Sequence, residues 1–500
     1  METELKLTLA AKDIPALKAH PVLAAAGDPH EIEQLDVYYD TPEHELWQRG
    51  YALRVRCARG KYVQTFKGGG ASVGGMHVRD EWESALADGK PDPAALARQA
   101  EGHQTASALL APGVAGKLLP VFTNTTTRTL WNLQPAPGCE VECVLDVATI
   151  RCGKRHTAMV EVELELKRGE PGQLIVLAQE LNNAVALRIE NASKAERGYV
   201  LAGVRQPPAP VKARPIALRA KATLDDALQR ILQNCLEHME ANVAGVLAQD
   251  IEYLHQMRVG LRRLRAALHL FKSKVQLPAD LQQDVDWLAA LLGKARNWDV
   301  FITDTLDKVG GASWNASRSA LRVAAAQHAA AAHKAVQRAL HSRRYTGLIL
   351  GLAGWISGRQ WRQPADGVLP GKLDSRVHKG MRPLLAKTQR RLHKRIRRVD
   401  STDAASLHRV RIAAKQSRYA AEFFQPFLKQ RPLKKQLNRL ATLQEMLGNL
   451  NDAAIADTLL AQLGRDHGAP AEAIAFARGY LAATAEQKMR SIGKPLRQIK

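Results

Sequence analysis

Aromatic residues are sparse, only 5% of this 500-residue chain. Sequence-tolerant nucleic-acid surfaces stack bases on aromatic faces, so the shortage argues against a nucleic-acid reader. Cysteines are few and odd in number: Cys57, Cys139, Cys143, Cys152 and Cys235, with no CxxC pair and no Cys/His set at zinc spacing. That excludes a disulfide framework and a zinc site, and reduced thiols suit the cytoplasm. Long apolar runs are missing too. The longest, Leu348 to Ile356, is far short of the roughly 20 residues that cross a bilayer, so no membrane insertion is expected. The start, Met1 to Lys6, is acidic and no apolar segment follows, so no signal peptide is expected. The glycine-rich stretch Gly68 to Gly75 lacks GK[ST] and leads from strand to strand. It is expected to be a hairpin loop, not a phosphate loop. No Ser, His and Asp spacing suggests a nucleophilic triad.

What is abundant is positive charge, and it is split. Residues 1–206 hold 23 Lys+Arg against 26 Asp+Glu, and the rest hold 49 against 23. The second half therefore calls for a polyanionic partner. Two of its segments repeat one pattern. His255, Arg258, Arg262 and Arg265 stand at the same relative positions as His408, Arg411, Lys415 and Arg418. At ~100° per residue, these positions fall within about 80° of one another on a helix. Like charges one turn apart repel by a few tenths of a kcal/mol per pair, so two such stripes imply an anionic ligand. About forty residues after each stripe comes a second match, Leu292 to Asp299 with Leu447 to Asp452, in which Arg296 corresponds to Asn451.

The chain reads as multidomain. Residues 1–205 are α+β, with period-two strands over 5–10, 35–39, 51–57, 62–67, 77–84, 127–133, 140–150 and 156–167, and helices over 14–26 and 171–184. Residues 206–215 form a Pro-rich linker. Residues 216–500 are all-α, an internal repeat of about 218–357 and 373–490 packed as two pseudo-symmetric helical bundles. Helix ends are expected near Gly293 and Gly448, splitting 278–309 and 430–464 into two helices each.

The strands of the first half carry charge at period two: Glu2, Glu4 and Lys6; Arg54 and Arg56; Lys67; Arg79; Arg128; Glu161, Glu163 and Glu165. Same-face carboxylates in a confined space require a counter-ion. Hard oxygen ligands select Mg²⁺ or Mn²⁺. Arg and Lys on neighbouring strands would hold a phosphate chain. Inward charge on every strand implies a closed, wet tunnel.

Glu2-x-Glu4-x-Lys6, Tyr38 to Pro42, Ala52 to Arg56, Glu161-x-Glu163-x-Glu165 and Ser193, Lys194, Arg197, Gly198 and Tyr199 resemble the CYTH domain of triphosphate tunnel metalloenzymes. The two His/Arg stripes resemble a CHAD domain. The resemblance implies an antiparallel eight-stranded tunnel barrel that hydrolyses inorganic triphosphate. It implies Glu2, Glu4, Glu161, Glu163 and Glu165 as metal ligands, with Glu2, Glu4, Lys6 and Lys67 catalytic. Arg54, Arg56, Arg79, Arg128 and Lys194 would hold substrate. It further implies polyphosphate binding by the helical half, through the two stripes and Arg296, and a cytoplasmic protein associated with polyphosphate granules. Competing readings are a polyphosphate- or nucleic-acid-binding adaptor with an inactive tunnel, and a tunnel enzyme acting on an organic triphosphate, as adenylyl cyclases and thiamine-triphosphatases do. The sequence specifies no oligomeric state.

Overall fold

A computed structural model of the chain describes residues 2–204, 209–310, 314–363, 373–466 and 469–499. It forms two compact units: residues 1–209 with 341–358, and residues 210–340 with 359–500. Part of the Pro-rich segment, residues 206–208, lies outside the described residues.

The first unit is built on one antiparallel sheet. Its strands are β1 (Glu2–Thr8), β2 (His30–Asp40), β3 (Tyr51–Ala58), β4 (Lys61–Val73), β5 (Met76–Leu86), β6 (Leu119–Ala136), β7 (Cys139–Cys152), β8 (Arg155–Arg168) and the two-residue β9 (Arg188–Ile189). The order is β5-β4-β3-β2-β6-β7-β8-β1-β9, and β1 also pairs with β5. The first eight strands therefore close on themselves. β9 is an addition that the sequence does not announce, because two residues carry no periodicity. The β3–β4 hairpin turns through Arg59 and Gly60, both at positive φ, the backbone that matches strand twist in a two-residue loop.

Alternation decides which way each side chain points. On β1, Leu5 and Leu7 are fully buried outside the barrel, where they join Val141, Cys143, Leu145, Val162 and Leu164 beneath the helix Pro171–Ala184. Their neighbours Glu4 and Lys6 face inward. The apolar core thus lies outside the sheet, and the charged lumen is what remains within it. Opposite, Leu53 and Phe66 pack against Leu96 and Leu109 of two short helices.

The helix Arg343–Ser357 belongs to this unit, not to the helical domain expected over 216–500. Its apolar face supplies Leu350 to the same core. Asn182 Nδ2 donates to the carbonyl of Arg343 at 3.0 Å, and Thr346 Oγ1 donates to that of Leu187 at 2.6 Å. The apolar run Leu348 to Ile356 is thus a core helix. Among the described residues, no helix is long and apolar enough to cross a membrane.

In the second unit the two expected helix breaks are absent. Gly293 lies inside Ala279–Val300, and Gly448 inside the 36-residue helix Gln430–Arg465. A helical glycine costs about 1 kcal/mol against alanine. Burying Leu288, Leu292 and Ala295 on one side of Gly293, and Leu443 and Leu447 beside Gly448, outweighs it. The repeat is visible in burial. Leu254, Met257, Leu261 and Ala267 match Leu407, Val410, Ala414 and Ala420 at one constant offset; Val285, Leu288 and Leu292 match Leu440, Leu443 and Leu447 at another.

Candidate functional site

The barrel lumen is a cavity of about 420 Å³ lined from every side by charge, including Glu4, Lys6, Arg54, Arg56, Lys67, Arg128, Glu163, Glu165 and Lys194. Strand register sets the pairs. Glu4 stands opposite Glu165, and Lys6 opposite Glu163, across β1–β8. Arg128 stands opposite Asp146 across β6–β7, and Asp146 opposite Glu161 across β7–β8. Lys194 enters from the first residue of the helix Lys194–Leu201, which Ser193 caps by accepting from the amide of Glu196.

These groups form one network. Lys6 Nζ is 2.5 Å from Glu163 Oε1 and 3.0 Å from Glu4 Oε2. Lys194 Nζ reaches Glu161 at 2.6 Å, Glu163 at 2.8 Å and Asp146 at 2.8 Å. Arg128 grips Asp146 with two bonds, at 2.8 and 2.7 Å, and touches Glu163 at 3.1 Å. Arg56 pairs with Asp36 at 2.7 Å, and Lys67 with Glu81 at 2.8 Å. Asp146 and Asp36 are counter-ions that the motif reading did not single out. Asp146 shares an inward face with Glu142, but apolar Val144 between them hides the period.

Electrostatics follow from the pairing. Burial opposes charge on Lys6, yet Glu163, Glu4 and Glu161 together push its pKa above the usual lysine range. The same balance raises Lys194, through Asp146 and the two glutamates. Burial would raise Glu163, but Lys194, Lys6 and Arg128 hold it well below the carboxylate range. Glu161 goes the other way, to about 7, because burial outweighs its cations. Arg54 is buried and raised against that burial by Asp36. Its Nε has no hydrogen-bond partner among the described residues. The side chains of Glu2 and Arg79 lie outside the described residues; their backbones pair across β1–β5.

A divalent metal fits this set by donor type. Asp146, Glu161 and Glu163 each offer a carboxylate oxygen within 4.8 Å of the other two, and Glu161 Oε2 is buried with no hydrogen-bond partner among the described residues. Hard oxygen donors in that arrangement suit Mg²⁺-like ions.

In the second unit the helices Ile251–Phe271 and Ala404–Phe423 pack together and bring the two stripes face to face. Burial, then Arg262, Arg411 and Arg296, lowers Arg258 to about 10. Burial, then Arg262, Arg411 and Arg258, lowers Lys415 to about 6. His255 falls to about 4 through burial and Arg296. Arg411 is lowered by burial and Arg262, against the opposing pull of Asp452, and its Nε has no partner among the described residues. Arg262 Nε donates to Tyr419 at 2.7 Å. His408 is hydrogen-bonded to Asn451 at 3.1 Å. Arg265 and Arg418 are drawn elsewhere, to Asp286 at 3.0 Å and Glu422 at 2.7 Å. The stripe positions nearest the helix C-termini thus do not join the cluster.

A closed antiparallel barrel with a charged lumen, followed by a helical repeat with a cationic cluster, defines a two-domain class. Residues 1–199 match the CYTH domain and residues 230–461 the CHAD domain. The chain thus carries a CYTH domain followed by a CHAD domain. It is similar to the inorganic triphosphatase of Haemophilus influenzae, with 30% identity over 167 residues, 33% of this chain and 45% of that protein. The match thus spans less than half of that relative. The crystal structure of the CHAD domain from the plant Ricinus communis is 38% identical, with a TM-score of 0.53, over 58% of this chain and 96% of that one. PptA from Streptomyces chartreusis is 18% identical, with a TM-score of 0.43, over 56% of this chain and 99% of its own.

Proposed function

We propose that the CYTH unit hydrolyses inorganic triphosphate with Mg²⁺ or Mn²⁺, and that the CHAD unit holds inorganic polyphosphate. The observation that carries the first half is a single lumen in which cations from β1, β3, β4 and β6 face carboxylates from β1, β7 and β8. Arg54, Arg56, Arg128 and Lys67 present donors along the lumen to the oxygens of a phosphate chain. Lys6 and Lys194 sit among the carboxylates and bridge them to the substrate. A divalent ion, when bound by Glu4, Glu163 and Glu165 with Asp146 and Glu161 beside them, supplies charge neutralisation on phosphate oxygens and acidifies water. The protein's part is to orient the chain so that the terminal phosphorus is open to in-line attack. Glu2 and Arg79 are assigned to the same site by the resemblance of the motif alone.

The second half rests on a cluster of cations that act mainly on one another, Arg258, Arg262, Arg296, Arg411 and Lys415, with Asp452 as the carboxylate that opposes them at Arg411 and Lys415. Tethering such a domain to the barrel raises local substrate concentration.

Phosphate release from tripolyphosphate, pyrophosphate and ATP, with and without EDTA, tests this reading. Tripolyphosphate should be cleaved fastest, and chelation should stop it. No release from tripolyphosphate under any metal would overturn it. Tyr38, Trp47 and Tyr51 also line the lumen, which favours one second reading, an organic triphosphate. Cyclic AMP formation from ATP outrunning phosphate release would select it.

A further inference from the structure

The two repeats of the CHAD unit are not equally filled. Counting from the matched leucines Leu292 and Leu447, Trp298, Asp299 and Phe301 correspond to Ala453, Ala454 and Ala456. In the first repeat Trp298 is fully buried, stacked on His328 with ring centroids 4.8 Å apart. Asp299 beside it is bonded to His333 at 2.8 Å. In the second repeat, Ala453 and Ala454 line a cavity of about 230 Å³ among the helices Ala404–Phe423, Gln430–Arg465 and Ala471–Ser491. Leu407, Leu450, Leu481 and Met489 line it with Ala453 and Ala485. Its volume is below the roughly 300–1,000 Å³ of pockets that enclose drug-sized ligands. It is a slot for one ring system, at the place where the first repeat keeps an indole.

The slot is not isolated. His408 and Asn451 line it and are bonded to each other. His408 is also the first residue of the second basic stripe. Arg411 and Lys415 follow one and two turns along the same helix, a rise of about 4.5 Å and 10.5 Å. An apolar slot therefore opens at the head of a cationic row. Asp457 and Arg478, paired at 2.6 Å, add a hydrogen-bonding edge on the slot's other side. A ligand that satisfies both parts carries a flat, partly polar ring joined to several phosphates. We propose that the second repeat of the CHAD unit binds a nucleoside polyphosphate, its base in this slot and its phosphates toward Arg411 and Lys415. This rests on the reading of the basic cluster as a phosphate-chain site.

The test uses the full chain in EDTA, which prevents turnover. A labelled long-chain polyphosphate is displaced by ATP or by tripolyphosphate at matched salt. Charge alone favours tripolyphosphate. Burying one base should instead let ATP compete at about tenfold lower concentration. Ala453→Trp, which installs the first repeat's residue, should remove that advantage and leave tripolyphosphate competition unchanged. Ala482→Phe, from the facing helix, should do the same; retained polyphosphate binding shows that either variant is folded. Equal potency of ATP and tripolyphosphate in the unaltered chain would overturn the inference alone. So would an ATP advantage that survives in a folded variant. Failure of the unaltered chain to hold any polyphosphate would overturn the phosphate-chain reading, and the inference with it.

Discussion

Both halves of this protein bury cations, and they do so in opposite ways. In the barrel each buried Lys or Arg has carboxylates beside it, and Lys6, Arg54, Arg128 and Lys194 are all pushed above their usual ranges. In the helical unit the cations face one another, and His255, Arg258, Arg411 and Lys415 are all pushed down. The barrel carries its own counter-ions and is charge-matched without a ligand. The helical cluster has Asp452 set against several cations, and the polyphosphate proposed above would supply the missing negative charge. Removing one charge should therefore harm the first site and relieve the second.

The largest expected effect is on chemistry. Glu163→Gln keeps the shape but removes the carboxylate shared by Lys6, Lys194 and Arg128. Triphosphate hydrolysis should fall by about 10²–10³, the scale of losing one preorganised electrostatic group; steady-state phosphate release measures it. Next comes stability. Lys194→Met strands Asp146, Glu161 and Glu163 without their shared cation. Breaking a buried ion network costs about 3–5 kcal/mol, readable by thermal or urea unfolding of the full chain.

The mirror experiment is Lys415→Met. Below about pH 6, where Lys415 carries its charge in the folded protein, it removes a like charge from a crowded cluster, so the helical unit should gain about 1 kcal/mol, roughly 2–4 °C in its transition. Polyphosphate affinity should drop several-fold in the same protein. A loss of stability would erase the contrast between the two halves.

Proton linkage sharpens it further. Lys415 sits at about 6, below its ordinary 10.5. A group depressed on folding contributes stability above its unfolded value and loses it as pH falls through its folded one. Its contribution therefore declines from about pH 10 to about pH 6. A bound polyanion restores the charge, so binding near pH 8 should take up protons. Calorimetry in buffers of different ionisation enthalpy would detect this, and zero uptake would contradict the buried, uncharged lysine. The smallest effect is expected at Arg265→Ala. That side chain is half-exposed and paired with Asp286, and surface pairs contribute about 0–1 kcal/mol. Stability and polyphosphate affinity should barely move.

Much of the barrel was legible because charge at period two on many strands has one economical explanation, an inward wet face. Glu4, Lys6, Arg54, Arg56, Lys67, Arg128, Glu163 and Lys194 do line one cavity. Asp146 was not legible, since only the β6–β7–β8 register places it opposite Arg128 and Glu161. The stripes were legible as helical faces, but not that they meet, nor that Arg265 and Arg418 turn away to carboxylates of their own. Gly293 and Gly448 misled because local propensity was outweighed by leucines on the same helices. The open slot at Ala453 needed the packing of the third helix to become a cavity.

Periodicity and charge along the chain determined by themselves that there are two kinds of basic surface, one on strands and one on helices. These are local properties, set by bond geometry and side-chain chemistry. Which cations receive counter-ions, which face each other, and that the helix Arg343–Ser357 completes the barrel unit's core were decided only by tertiary structure. The reason is that Coulomb energies and apolar burial depend on distances between residues far apart in sequence, which no local pattern encodes.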